Sequence, residues 1–265
     1  DLHFVEPENP KRIKKIRGEI EFKKVTFGYD PQIPVLKDVS FKIQQGETVA
    51  LVGHTGSGKT TVTSLINRFY DVQSGQILID GIDIKELESQ RLRSHIGMVL
   101  QDVYLFSASL SDNIRLFNEG ISQSRVEEAA RIVNAADFIE RLPGQYDYIL
   151  KERGNEFSSG QRQLLSFARA MAYNPEIMIL DEATSNIDTE TEILIQDAIQ
   201  KLSQKRTTII IAHRLSTIKH ADKIIVLNKG EIKEMGTHDS LIQKGGLYYN
   251  LYKLQYQNKD DEEIE

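Results

Sequence analysis

The stretch Gly53-His54-Thr55-Gly56-Ser57-Gly58-Lys59-Thr60 constrains this 265-residue chain more than any other. It satisfies G-x-x-x-x-G-K-[ST], and its flanks are the ones that pattern needs. Before it, Thr48-Val49-Ala50-Leu51-Val52 has the length and β-branched content of a buried strand. After it, Thr61 to Tyr70 places Val62, Leu65, Ile66 and Phe69 at helical spacing. A strand, a glycine loop and a helix start together form a phosphate cradle. Glycines let backbone N–H groups converge, and the helix N-terminus adds partial positive charge. Lys59 offers a mobile cation to β- and γ-phosphates, and Thr60 offers Mg²⁺ a hydroxyl. The chain is therefore expected to bind a nucleoside triphosphate.

Composition narrows what kind of protein does so. The net charge of −6 and pI near 5.6 argue against non-specific nucleic-acid binding as the main task. Without cysteine there is neither a disulfide framework nor thiolate chemistry. No apolar run approaches bilayer length. Residues 1–17, with Pro7, Pro10 and a basic cluster from Lys11 to Arg17, read as a linker. A solvated tether and a segment beside anionic lipid both fit them. The acidic end, 257–265, reads as a disordered tail.

Between these ends the pattern is mixed α/β. Glu19–Phe22, Val39–Ile43 and Gln76–Asp80 alternate as strands of an antiparallel sheet. Residues from about 109 to 174 read as helical, with a capping box at Ser124-x-x-Glu127. A further helix begins after Phe157-Ser158-Ser159-Gly160-Gln161, a second possible anion site or an ordinary N-cap. The apolar run Ile177–Leu180 fits a strand buried on both faces and ends in Asp181-Glu182. Carboxylates at such a strand end lie where ligands bind open α/β sheets: Asp181 can hold Mg²⁺ through water, and Glu182 can polarise an attacking water. Thr189–Leu202 is a helix whose apolar residues include Ile193, Ile199 and Leu202. The strand Thr207–Ala212 delivers His213 to the same edge, where a γ-phosphate contact is favoured over a structural role. Tyr29 lies in a loop between strands, open to turn packing or ligand stacking. Tyr104-Leu105-Phe106 is an apolar cluster that packs locally or receives a partner.

Taken together, these residues resemble the nucleotide-binding domain of ABC transporters, most closely the bacterial exporter type, over 18–256. The resemblance implies an α/β fold with a P-loop NTPase (RecA-like) core, an antiparallel β-subdomain and an α-helical subdomain at about 109–174. It matches Gly53–Thr60 and Thr61 to Walker A, Ile177–Asp181 to Walker B, and Glu182 to the catalytic glutamate. Tyr29 matches the adenine-stacking A-loop, Gln101 the Q-loop Mg²⁺ ligand, and Glu152-Arg153-Gly154 the X-loop. Ser185–Asp188 matches the D-loop, and His213 the switch histidine. On this likeness the cofactors are ATP and Mg²⁺, held by Thr60, Gln101 and Asp181. Lys59, Gln101, Glu182 and His213 carry catalysis. The partners implied are a second nucleotide-binding domain and the cytoplasmic loops of a transmembrane domain, received around Gln101–Phe106 at the cytoplasmic face of the membrane.

One departure stands out. The family signature is usually Leu-Ser-Gly-Gly-Gln, and this chain carries Ser159 where a glycine is usual. Ser158, Ser159, Gly160 and Gln161 would face the partner's ATP, so Ser159 points to a non-identical partner, with a homodimer that tolerates Ser159 as the alternative. A soluble, non-transport ATPase of DNA repair or translation is the rival function.

Overall fold

The computed structural model describes residues 4–13, 15–151, 154–181, 188–212 and 215–254. In chain order the elements are β1 (Ile20–Phe27), β2 (Leu36–Ile43), β3 (Thr48–Val52), α1 (Lys59–Ile66), β4 (Ser74–Ile79), β5 (Ile82–Asp83), α2 (Ser89–Ser94) and β6 (Ile96–Val99). Four helices follow: α3 (Leu110–Arg115), α4 (Gln123–Ile132), α5 (Ala136–Ile139) and α6 (Ser159–Tyr173). The chain then runs through β7 (Ile177–Asp181), α7 (Thr189–Ser203), β8 (Thr207–Ile211), α8 (Leu215–Lys219), β9 (Lys223–Asn228), β10 (Glu231–Gly236), α9 (His238–Lys244) and α10 (Leu247–Tyr252).

Two sheets result. The larger has the order β10-β9-β3-β8-β7-β6, parallel except for the edge hairpin β9–β10. The smaller, β2-β1-β4-β5, is antiparallel throughout. The central strands β3, β7 and β8 are buried along nearly their whole length, as strands covered on both faces must be. Their two-residue alternation sorts the apolar side chains into two cores. Val49, Leu51, Ile177, Ile179 and Ile209 face α1 and the antiparallel sheet. Ala50, Val52, Met178, Leu180 and Ile210 face α4, α6 and α7. A one-residue slip in register would exchange these sets, so the pattern fixes the sheet.

Several sequence expectations shift. Helix α4 begins earlier than the Ser124 capping box implied: Ser122 is the N-cap and accepts from the Arg125 N–H, while Ser124 is already inside the helix. Phe69 is not on α1, which ends at Ile66; it is exposed. Ile193 is exposed, and α7 buries Ile195, Ala198, Ile199 and Leu202 instead. The described part of 1–17 is mostly exposed but is anchored at points along its length. Ile13 and Ile16, three residues apart, are buried in the core of the antiparallel sheet, and Lys11 forms a parallel bridge with Leu87. The expected tail 257–265 lies outside the described residues.

Candidate functional site

The phosphate loop links β3 to α1 at the carboxyl edge of the parallel sheet. Two of its glycines are required for different reasons. A Cβ at Gly53 would sit 2.2 Å from the Leu227 carbonyl oxygen, so the loop must pass close to β9. Gly56 has open space around it but a φ of +78°, which disfavours any side chain. Gly58 is the N-cap of α1 with φ +106°, and no side chain caps the helix. The first-turn N–H groups are thus left to a ligand.

Lys59 is buried, and its Nζ donates to the carbonyls of Gly53 at 2.7 Å and His54 at 3.0 Å. Burial lowers its pKa from the ordinary value, and the charge of Asp181 opposes that shift. Burial raises the Asp181 carboxyl in turn, with Lys59 opposing and Asp102 adding to the rise. Both groups lie at a partly dehydrated edge of the sheet, and the charge of each acts on the other. Ser57 Oγ is buried and has no hydrogen-bond partner, an orphan beside the cradle. Ordinarily such a group is paired. A bare helix start, a buried cation and an unpaired hydroxyl fit a polyphosphate.

Tyr29 is half exposed, its ring held edge-on by Phe27 at 5.2 Å and Tyr70 at 5.1 Å. Its hydroxyl lies 3.3 Å from Thr61 Oγ1, which ties this loop to α1. Gln73 carries no sequence signal, yet its amide both accepts from Gly28 N–H and donates to Gly28 O at 2.7 Å. That clamp joins positions 45 residues apart, beyond any local pattern. Gln101 is exposed two residues after β6, and His54, Thr55 and Thr60 are exposed on the loop and helix.

The second helix start is closed. Ser158 caps α6: its hydroxyl accepts from Gln161 N–H at 3.1 Å, and Gln161 Oε1 accepts from Ser158 N–H at 3.0 Å. Ser159 is half-buried and Gly160 buried. Phe157 packs against Phe138 in the helical core. Asp188 caps α7 by accepting from Thr191 N–H at 2.9 Å, a bond that lowers its pKa. Leu105 is a correction: it is fully buried, so it cannot border a docking groove. Tyr104 and Phe106 are exposed and continue edge-to-face into Phe117. Glu152, Arg153, Glu182, Ser185, Asn186, Ile187 and His213 lie outside the described residues.

A phosphate loop that opens a helix at the carboxyl edge of a parallel sheet, with a buried lysine in the first turn of that helix, defines a P-loop NTPase core. Over residues 36–185 the chain matches the ABC transporter family model, and it belongs to that family. Within it, the chain corresponds to the ATP-binding part of relatives described as exporters. The chain is 52% identical over 238 residues to a probable multidrug resistance ABC transporter ATP-binding/permease protein of Bacillus subtilis, covering 90% of this chain and 35% of the relative. It is 47% identical over 262 residues to an ATP-dependent lipid A-core flippase of Syntrophus aciditrophicus, covering 98% and 43% respectively. A bacterial Atm1-family ABC exporter solved with ATP bound superposes with a TM-score of 0.89 at 40% identity, over 97% of this chain and 45% of that one. The chain thus spans less than half the length of these relatives.

Proposed function

We propose that this chain holds Mg²⁺-bound ATP on Gly53–Thr60, closes with it onto a second nucleotide-binding domain, and so powers export through a transmembrane half. The observation that carries the reading is Lys59, a buried cation at an uncapped helix start. The loop amides and Lys59 neutralise the β- and γ-phosphates, and Tyr29 stacks on adenine. Thr60, Gln101 and Asp181 hold the metal. When bound there, Mg²⁺ would supply positive charge to offset the negative charge that develops in phosphoryl transfer. Glu182, next after the last residue of β7, orients the attacking water, and His213 contacts the γ-phosphate. Ser158, Ser159, Gly160, Gln161 and Asp188 act across the dimer interface.

Glu182→Gln tests this directly. ATP binding should persist, turnover should stop, and a dimer should accumulate at millimolar ATP by size exclusion. Turnover at the parent rate would remove Glu182 from its role.

The partner carries the finer claims. Ser159 favours a non-identical half-transporter, and a stable, ATP-hydrolysing homodimer of the full-length protein would refute that. The rings of Tyr104, Phe106 and Phe117 receive a cytoplasmic loop of the transmembrane half. In the full-length protein Phe106→Glu should uncouple transport while ATP binding is kept; lost ATP binding would mark the cluster as core. No helix among the described residues is long and apolar enough to cross a membrane. We assign the membrane spans to the rest of a longer protein and propose that this domain sits at the cytoplasmic face. Relatives described as multidrug exporters and a lipid flippase favour transport over a soluble repair or translation ATPase.

A further inference from the structure

The segment that enters the domain is built into the far end of the phosphate-loop helix. Helix α1 has eight residues, about 12 Å of rigid rod. Lys59 and Thr60 form its first turn. Its other end is closed by Arg68, which is fully buried with a φ of +49°. The Arg68 guanidinium donates to Asp71 Oδ1 at 3.1 Å, to the Leu87 carbonyl at 2.7 Å and to the Val5 carbonyl at 2.5 Å. Val5 N–H donates back to Asp71 Oδ2 at 3.3 Å, so one Arg–Asp pair grips both sides of that residue. Glu6 accepts from Ser89 N–H and its hydroxyl. Arg93 donates to the carbonyls of Asn67 at 2.9 Å and Arg68 at 2.7 Å, the last of the α1 turn. Its guanidinium lies 5.0 Å from the Phe4 ring and 5.0 Å from the Phe69 ring.

A fully buried arginine costs free energy that an apolar side chain would not, unless its donors are used. Here they join the strap, α2 and the end of α1 into one unit. We propose that the strap Phe4-Val5-Glu6 acts as a lever on the nucleotide site, with Arg68 and Arg93 as positioning residues. A docked strap holds α1 in the placement at which Lys59 and Thr60 meet phosphate. Because coupling of two sites is reciprocal, ATP must tighten the strap by the factor that the strap tightens ATP. A transmembrane half joined to the strap would then reach the phosphate loop by a second route besides the rings of Tyr104, Phe106 and Phe117. The inference rests on the reading that Gly53–Thr60 binds ATP.

Hydrogen exchange on the unaltered chain tests the linkage without any variant. Saturating ATP should slow exchange of the Val5 and Ser89 amides several-fold. Phe4→Ala should weaken ATP affinity about five- to tenfold, the low range of measured couplings, and Phe4→Tyr should restore it. A strap that merely packs would give unchanged exchange with ATP and equal ATP affinity in Phe4→Ala, and either result overturns the lever. A wild-type chain that fails to bind ATP at all would instead overturn the phosphate-loop reading.

Discussion

Helices α1 and α6 begin in opposite ways, and the contrast separates what this chain can do alone from what it needs a partner for. At α1 the N-cap is Gly58, in a left-handed conformation with no side chain to offer. Its N–H groups await a ligand, and Lys59 lies among them. At α6 the cap is Ser158, in extended conformation, and Ser158 and Gln161 satisfy each other's backbone. An open start at the end of a buried parallel strand is a preformed anion site. A self-capped start is stable without one, so α6 can present itself to an ATP held elsewhere at no cost to its own fold. On the proposed reading, the chain contributes one half of each of two sites.

The sharpest way to break that contrast is at Lys59. Lys59→Met removes the charge-assisted bonds of the open start and should weaken ATP binding by about 100-fold or more, measured by calorimetry. Thermal stability should hold, because the change also removes a buried cation. Retained ATP affinity would show that the open helix start is not the phosphate site.

The glycines separate close approach from backbone strain. Gly53→Ala drives a methyl into the Leu227 carbonyl and should cost about 3 kcal/mol in urea unfolding. Gly56→Ala meets nothing within 4 Å and should cost only about 1 kcal/mol, the price of φ +78°. Equal losses at the two positions would contradict the steric account of the loop.

The closed start predicts the reverse of Lys59. Ser158→Ala deletes one half of the capping box and should lower stability by about 1 kcal/mol. ATP affinity of the isolated chain should not change, since the nucleotide this helix meets is not its own. A fall in affinity would place α6 in the chain's own site.

The contrast also marks what could be read from sequence. The open start was legible because its chemistry is local: three glycines, a lysine and a threonine in eight positions, between a strand and a helix. The central strands were legible because burial on both faces leaves unbroken runs such as Ile177–Leu180. Ser158 reads from the residues first as an ordinary N-cap, and the paired bonds to Gln161 bear that cap out. The rest depended on distant pairs. Leu105 and its neighbours Tyr104 and Phe106 form one apolar cluster in sequence, yet the loop turns Leu105 inward and the rings outward. The strap escaped because Ile13 and Ile16 sit among basic residues whose charge outweighs them locally, and Arg68 meets Val5 across 63 positions.

A third helix start supplies the smallest and most specific test. Helix α9 is self-capped like α6, with Thr237 and Ser240 exchanging bonds, and its first residue is His238. His238 Nδ1 lies 2.7 Å from the Tyr248 hydroxyl. Its pKa is lowered from the ordinary 6.5, by burial first and by repulsion from Lys219 second, against the pull of Asp239. Above pH 6.5 the ring is neutral both folded and unfolded, and its contribution to stability is complete. As pH falls below 6.5 the unfolded chain takes up a proton that the folded chain resists, so stability drops. The loss levels off once pH passes below the lowered folded value. Thermal melts at pH 7.5 and 5.5 should therefore show a larger decrease for wild type than for His238→Gln. Carboxylates titrate in both proteins, so the difference between the two slopes isolates the imidazole. Parallel slopes would mean that a self-capped helix start can accommodate the imidazolium, and that ATP at α1 and a proton at α9 are not opposite answers to the same local field.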